Sequence, residues 1–209
     1  MIKHRCYCLM PLLEKLFNDI LDSGAFPTHW NMGVMKPVYK RKGDQRSPAN
    51  FGGLALMSCL GKLFTSILQS RLNKFIEQHN ILNPEQFGFC PNSRTTDSLF
   101  ILQQFLNKYA KQQKKLYVGF IDYEKAFDSV WQSGLMYKLY QCGVQGKFFK
   151  VIKSRYSSIK SCVKTDESST TEMFSCNKGI RQADGLSPVL FYYLWMIYCS
   201  TLGTTIVQE

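Results

Sequence analysis

Apolar residues recur every three or four positions across residues 8–23, where Leu12, Leu13, Leu16, Phe17, Ile20 and Leu21 share one face and Gly24 supplies a stop. This pattern predicts a docked amphipathic helix. A longer stripe of Leu60, Leu63, Phe64, Ile67, Leu68, Leu72, Phe75 and Ile76 predicts a helix capped by Ser58 and running to about His79. After the Gly/Pro-punctuated loop ILNPEQFGFCPNSRTTD, a third stripe of Leu99, Leu102, Leu106 and Tyr109 predicts a helix opened by Thr95 or Thr96. Shorter helical patterns follow near residues 133–142 and 147–156. Ser187 and Pro188 then read as a cap and first-turn proline ahead of VLFYYLWMIYC. Those eleven apolar residues fall short of the roughly 20 that a bilayer span needs, so a buried helix is expected rather than a membrane anchor.

Between the helices lie strand patterns. Residues 34–39 form one, followed by a basic turn of Lys40, Arg41, Lys42, Gly43 and Asp44. Residues 116–121 are an unbroken apolar run that predicts a buried strand, and residues 159–165 and 171–176 flank the turn-rich DESST as a hairpin. Helices and strands mixed in this way give an α+β fold class, and no internal repeat is visible.

Charge narrows the partners. Lys and Arg number 26 against 15 Asp and Glu, a formal charge of +11 that favours a polyanion such as nucleic acid or an acidic membrane surface. The eight cysteines include no CxxC pair, which argues against zinc and fits reduced thiols in a cytoplasmic or nuclear protein. MIKHRCYCLM lacks an apolar core of signal-peptide length, so secretion is not expected. His4, His29 and His79 are isolated in sequence and read as surface or packing residues.

The most pointed stretch is FIDYEKAFDSV, residues 120–130, in which an apolar run stops at Asp122. That carboxylate can cap the following turn, mark where a strand meets water, or serve chemistry. Asp128 reads as a local helix-start cap. The turn at residues 40–44 either holds a phosphate or is a solvated hairpin tip. Lys108, Lys111, Lys114 and Lys115 either complement the C-terminal dipole of the third helix or extend a basic surface.

Taken in order, the basic turn before NFGG, then SCLGKLF, PEQFGF, FIDYEKAFDSV and GIRQADGLSPVLF, resemble the fingers and palm of reverse transcriptases from non-LTR, LINE-type retrotransposons. The resemblance covers most of the chain. It implies a partial right-hand polymerase: a fingers-like region with N-terminal helices over residues 1–115, an incomplete palm over 116–191 whose antiparallel sheet packs on helices, a divergent tail over 192–209, and no thumb. It places Asp122 at the strand-end acid that holds two magnesium ions in the family, as catalytic residue and metal ligand. Phe127, which in the family packs under the sugar, is expected at the nucleotide together with Gln182 and Lys42. Lys36, Lys40, Arg41, Lys114, Lys115 and Arg181 are expected on the RNA template and DNA primer.

The departures from the family pattern are specific. RQAD stands for RQGD, so Ala183 replaces a glycine, and NFGG stands for NYRG, so Gly52 replaces an arginine that grips the triphosphate. No Asp follows Asp184 and no F/Y-x-D-D motif is present, which leaves one of three metal-binding carboxylates. The expectation is a truncated copy of an RNA-directed DNA polymerase, a nucleotidyltransferase silent by itself with residual non-specific affinity for nucleic acid. The alternatives are a non-catalytic nucleic-acid-binding module and a non-functional transposon relic.

Overall fold

The computed structural model describes residues 6–79, 81, 87–88, 90, 93–166, 169–181 and 184–202, the side chains of residues 6–7 and 195–202 excepted. Among the described residues there are six α-helices and one four-stranded sheet. The helices are α1 (Cys6–Ser23), α2 (Cys59–Gln78), α3 (Thr95–Lys111), α4 (Gln132–Gln141), α5 (Gly146–Ser157) and α6 (Leu186–Leu202). The strands are β1 (Met32–Tyr39), β2 (Phe51–Leu56), β3 (Lys160–Val163) and β4 (Phe174–Ser175).

The first two stripes fold as their spacing predicts. Gly24 ends α1 at φ +68°, its N–H returning to the Ile20 carbonyl at 3.1 Å, while the Ser58 hydroxyl accepts from the Gly61 N–H at 3.4 Å to open α2. Phe17 and Ile20 of α1 meet Phe64, Leu68, Leu72 and Ile76 of α2 in one core. Leu135 and Leu139 of α4, Val151 and Ile152 of α5, and Leu186, Leu190 and Tyr193 of α6 complete it.

The sheet runs β2-β1-β3-β4. β1 pairs antiparallel with β2 and β3 antiparallel with β4, but β1 and β3 are parallel, with Met32 opposite Lys160 and Val34 opposite Cys162. The expected antiparallel sheet is therefore mixed. A parallel neighbour needs a long crossover, and the helices between β1 and β3 supply it. The boundary placed at residues 115/116 falls between parts of one sheet and one core. The boundary at 191/192 falls inside α6, where Tyr192, Tyr193 and Leu194 are buried.

Three further expectations need correction. Residues 116–121 form no strand: the run pairs with no other described strand, and Phe120 is 83% exposed. Its apolar pattern marks a segment fit for a sheet, and no described strand lies alongside it. Asp128 caps no helix, because it sits in the turn at residues 124–129 and α4 begins only at Gln132 after Trp131. α6 opens at Leu186, so Ser187 and Pro188 lie in its first turn, with the Ser187 N–H on the Asp184 carbonyl at 3.2 Å. The third helix begins at Thr95, within the expectation, and the Arg94 N–H just before it donates to the Asp97 carboxylate at 2.8 Å. Of the loop expected over residues 81–97, residues 82–86, 89, 91 and 92 lie outside the described residues.

Candidate functional site

The basic turn joins β1 to β2 and is built rather than slack. Arg41 (φ 56°) and Gly43 (φ +80°) both adopt left-handed backbone, which lets the chain reverse tightly. Four contacts lock it: the Tyr39 hydroxyl donates to the Gly43 carbonyl, the Lys40 N–H to the Asn50 carbonyl at 2.9 Å, the Asn50 amide to the Asp44 carbonyl at 2.8 Å, and the Arg46 N–H to the Asp44 carboxylate at 2.9 Å. Lys36, Lys40, Arg41, Lys42 and Arg46 are all exposed on this hairpin. Gly52 lies across from Val38, and a Cβ built there meets nothing nearer than the end of the Lys40 side chain at 3.7 Å. A side chain's first carbon is therefore tolerated at that place.

The two long motifs adjoin through their backbones. The Phe127 carbonyl accepts from the Ile180 N–H and the Val130 carbonyl from the Gly179 N–H, both at 2.9 Å. Gly179 holds φ +82°, and a Cβ there would stand 2.8 Å from the Asp128 carbonyl oxygen, so glycine is required on both counts. The buried Gln132 amide donates to the Gly179 carbonyl at 2.9 Å and the Cys176 carbonyl at 3.2 Å. Phe127 stacks on Phe191 with ring centroids 4.8 Å apart and planes 18° from parallel, which ties the turn after Asp122 to α6.

Asp122 itself is exposed in the irregular run that precedes the turn. Among the described residues no three His, Cys, Asp or Glu side chains gather as a metal site. A pair of magnesium ions asks for several carboxylate oxygens held at fixed separation. Asp122 by itself supplies only one of those carboxylates, and no step through magnesium is assigned to these residues.

Arg181, expected on nucleic acid, is buried and structural. Its guanidinium donates to the Asn31 carbonyl and, at 2.8 Å, to the Lys160 carbonyl, so it bridges the starts of β1 and β3. The space it fills exists because Gly33 has no side chain, since a Cβ there would lie 2.8 Å from the guanidinium. Burial pushes its pKa below the ordinary arginine value, and the nearby Arg155 charge adds to the push. A residue this enclosed cannot reach a phosphate backbone. Gln182 and Ala183 lie outside the described residues. Lys114 and Lys115 are exposed beyond the end of α3.

Sequence reasoning missed the polar centre of the molecule. Asp184 is 3% exposed, accepts from the Arg155 guanidinium at 2.5 Å and from the Thr65 hydroxyl at 2.8 Å, and so ties the start of α6 to α5 and α2. Arg155 also lies over the Phe26 ring, 4.8 Å from its centroid. A signal was present: Arg155 occupies the apolar face of α5 between Ile152 and Tyr156, where a buried cation demands a buried anion. Gln182 and Ala183 are thus bracketed by two anchored neighbours, Arg181 on the sheet and Asp184 on the helices.

The sequence profile of the reverse transcriptase (RNA-dependent DNA polymerase) family matches residues 40–198. That match runs past Phe191, where the motifs alone placed the end of the resemblance. The chain is 28% identical over 179 residues to a probable RNA-directed DNA polymerase from transposon X-element of Drosophila melanogaster, an alignment covering 84% of this chain and 19% of that protein. It is 28% identical over 192 residues to a Pol polyprotein from a type-1 retrotransposable element R2 of Popillia japonica, covering 89% of this chain and 26% of that one. With the RNA-directed DNA polymerase from mobile element jockey of Drosophila melanogaster it shares 29% over 130 residues, covering 62% of this chain and 14% of the relative. The chain therefore spans no more than about a quarter of the length of these relatives. A profile match over most of its residues, in which the FIDYEKAFDSV and GIRQADGLSPVLF motifs fold against each other, means that the chain belongs to the reverse transcriptase family as a domain of the non-LTR retrotransposon kind.

Proposed function

We propose that the chain supplies the fingers and part of the palm of an RNA-directed DNA polymerase, and that its 209 residues by themselves bind nucleic acid without extending it. The observation that carries this reading is the locked β1–β2 hairpin, which holds Lys36, Lys40, Arg41, Lys42 and Arg46 in water at one end of a sheet. Cations fixed on a rigid turn lose less freedom when they meet phosphates than cations on a mobile loop. Lys114 and Lys115 add charge beyond α3. Lys42, with Phe127 and Gln182, is assigned to the nucleotide, and Asp122 to a metal-binding role that these residues do not complete alone.

Binding to a single-stranded RNA and to a primer–template duplex, measured across a salt series, tests the reading. Affinity should fall steeply with salt, by about 0.9 log units per log unit of salt for each phosphate contacted. Replacing Lys40, Arg41 and Lys42 together by Gln should lower that slope by about 3. An affinity indifferent to salt would overturn the binding role. Primer extension with magnesium or manganese should stay at background, and incorporation that disappears in Asp122→Ala would overturn the inactive reading.

A further inference from the structure

Lysine is depleted in strands, yet one face of this sheet carries four of them. The register that sets Met35 beside Val163 continues by one step, with the Lys164 N–H donating to the Met35 carbonyl at 2.8 Å, so Lys164 lies beside Lys36 on the parallel neighbour. Residues in register on adjacent strands share a face, and alternate residues of one strand share it too. Gly33 faces the buried Arg181, so Lys36, three residues on, belongs to the opposite side. Lys160, opposite Met32, lies on that side as well. So does Lys40, whose N–H carries the β1–β2 ladder on to the Asn50 carbonyl at 2.9 Å.

Four residues of strand span about 13 Å, so the lysines form a row about 26 Å long. Lys160 stands at one end, Lys36 and Lys164 side by side in the middle, and Lys40 at the other end, where the basic turn begins. Lys36, Lys40 and Lys160 are exposed and Lys164 is half-buried. No Asp or Glu occurs in any of the four strands, and among the described residues no carboxylate pairs with these lysines. Like charges on strands ~4.8 Å apart repel, and a surface that serves solubility alone intersperses both signs. An anion between Lys36 and Lys164 relieves that repulsion. An isolated phosphate would meet only this middle pair, whereas a phosphodiester backbone repeats its charge along a line, as the row does.

We propose that Lys160 and Lys164 bind the phosphates of the same nucleic-acid strand that meets the β1–β2 hairpin, one phosphate lying between Lys36 and Lys164. The strand then crosses the sheet face from the turn at residues 40–44 toward the start of β3. The inference rests on the nucleic-acid-binding reading and adds to it a path and two contacts.

Binding of the full chain to a single-stranded uridine oligonucleotide across a salt series tests it, with Lys160→Gln, Lys164→Gln, the double variant, and Lys74→Gln as a control of equal charge near the C-terminal end of α2. Thermal unfolding without RNA verifies that each variant keeps its fold. On a single strand each phosphate contact contributes about 0.7 to the slope of log affinity against log salt. Lys160→Gln and Lys164→Gln should each lower the slope by about that amount, the double variant by about 1.4, and Lys74→Gln should leave it unchanged. A salt-dependent parent whose slope survives both sheet substitutions would overturn this inference and leave the hairpin reading standing. So would a Lys74→Gln slope reduced as much as theirs, since net charge alone would then account for the loss. A parent indifferent to salt would overturn the hairpin reading and this inference together.

Discussion

Helices α2 and α3 carry apolar stripes of the same kind, repeating every three or four residues along most of each helix. α2 buries Phe64, Leu68, Leu72 and Ile76 against α1, α4 and α6, whereas α3 buries none of its residues and leaves Leu99 at 59% and Phe100 at 63% exposed. Periodicity names the side of a helix that is able to pack. It says nothing of whether an element lies opposite. The two motif aspartates repeat the contrast among polar groups. Asp184 sits between Arg155 and Thr65 in the core, while Asp122 ends an apolar run that stands in water.

The largest test of this contrast is electrostatic. Removing one partner of a buried ion pair strands the other charge, so Asp184→Ala or Arg155→Ala should each cost about 3–5 kcal/mol in a denaturant titration. Asp122→Ala should stay within about 0.5 kcal/mol, as for an exposed residue without a structural role. Replacing both partners by apolar residues, Arg155→Met with Asp184→Leu, should recover most of the loss. Equal costs at Asp122 and Asp184 would break the comparison outright.

A matched pair of leucines comes next. Leu68 is fully buried, and truncation to Ala removes transfer energy and leaves a cavity, at a cost of about 2–5 kcal/mol. Leu99→Ala on α3 should change the same unfolding midpoint little, since its side chain already faces water. If Leu99→Ala proved as costly as Leu68→Ala, a partner for the α3 face in solution would be the direct explanation.

Much of this was legible beforehand. The stop at Gly24, the Ser58 cap, the turn at residues 40–44 and the hairpin leading to Cys176 all follow from local chemistry, which one sequence carries in full. Residues 116–121 misled because strand propensity is local whereas a sheet partner is not. Arg181 misled for a related reason. A basic residue in a motif expected on nucleic acid reads as a surface contact until the backbone of β1 and β3, more than a hundred residues apart, closes around it. The Arg155–Asp184 pair was hidden because neither residue type reports its partner, although an arginine on the apolar face of α5 was a warning.

Buried tyrosines carry the contrast into alkaline solution. Burial raises the Tyr156 hydroxyl above its ordinary value of 10.0, the nearby Asp184 charge adds to the rise, and Arg155 opposes it. Above pH 10 an unfolded tyrosine gives up its proton while the folded one keeps it, so the unfolded state binds fewer protons. Stability from this group is complete below the unfolded pKa and is lost as pH climbs toward the folded one. In ultraviolet difference spectra the ionisation of Tyr156 should appear only with unfolding.

Tyr193 supplies the smallest test and the most discriminating one. It is fully buried in α6, burial pushes its hydroxyl upward as well, and that hydroxyl finds no hydrogen-bond partner among the described residues. A buried hydroxyl without a partner costs desolvation and returns nothing, so Tyr193→Phe, which keeps the ring and its packing, should be neutral at pH 7 or stabilising by up to about 1 kcal/mol. The same substitution removes one group that pulls toward the unfolded state in base, so stability should fall less steeply between pH 10 and 12 than in the parent. Tyr117→Phe, at an exposed position, should leave stability at pH 7 unchanged. Destabilisation by Tyr193→Phe at neutral pH would mean that the hydroxyl has a partner in solution, and the core around α6 would then be more polar than its aromatic packing indicates.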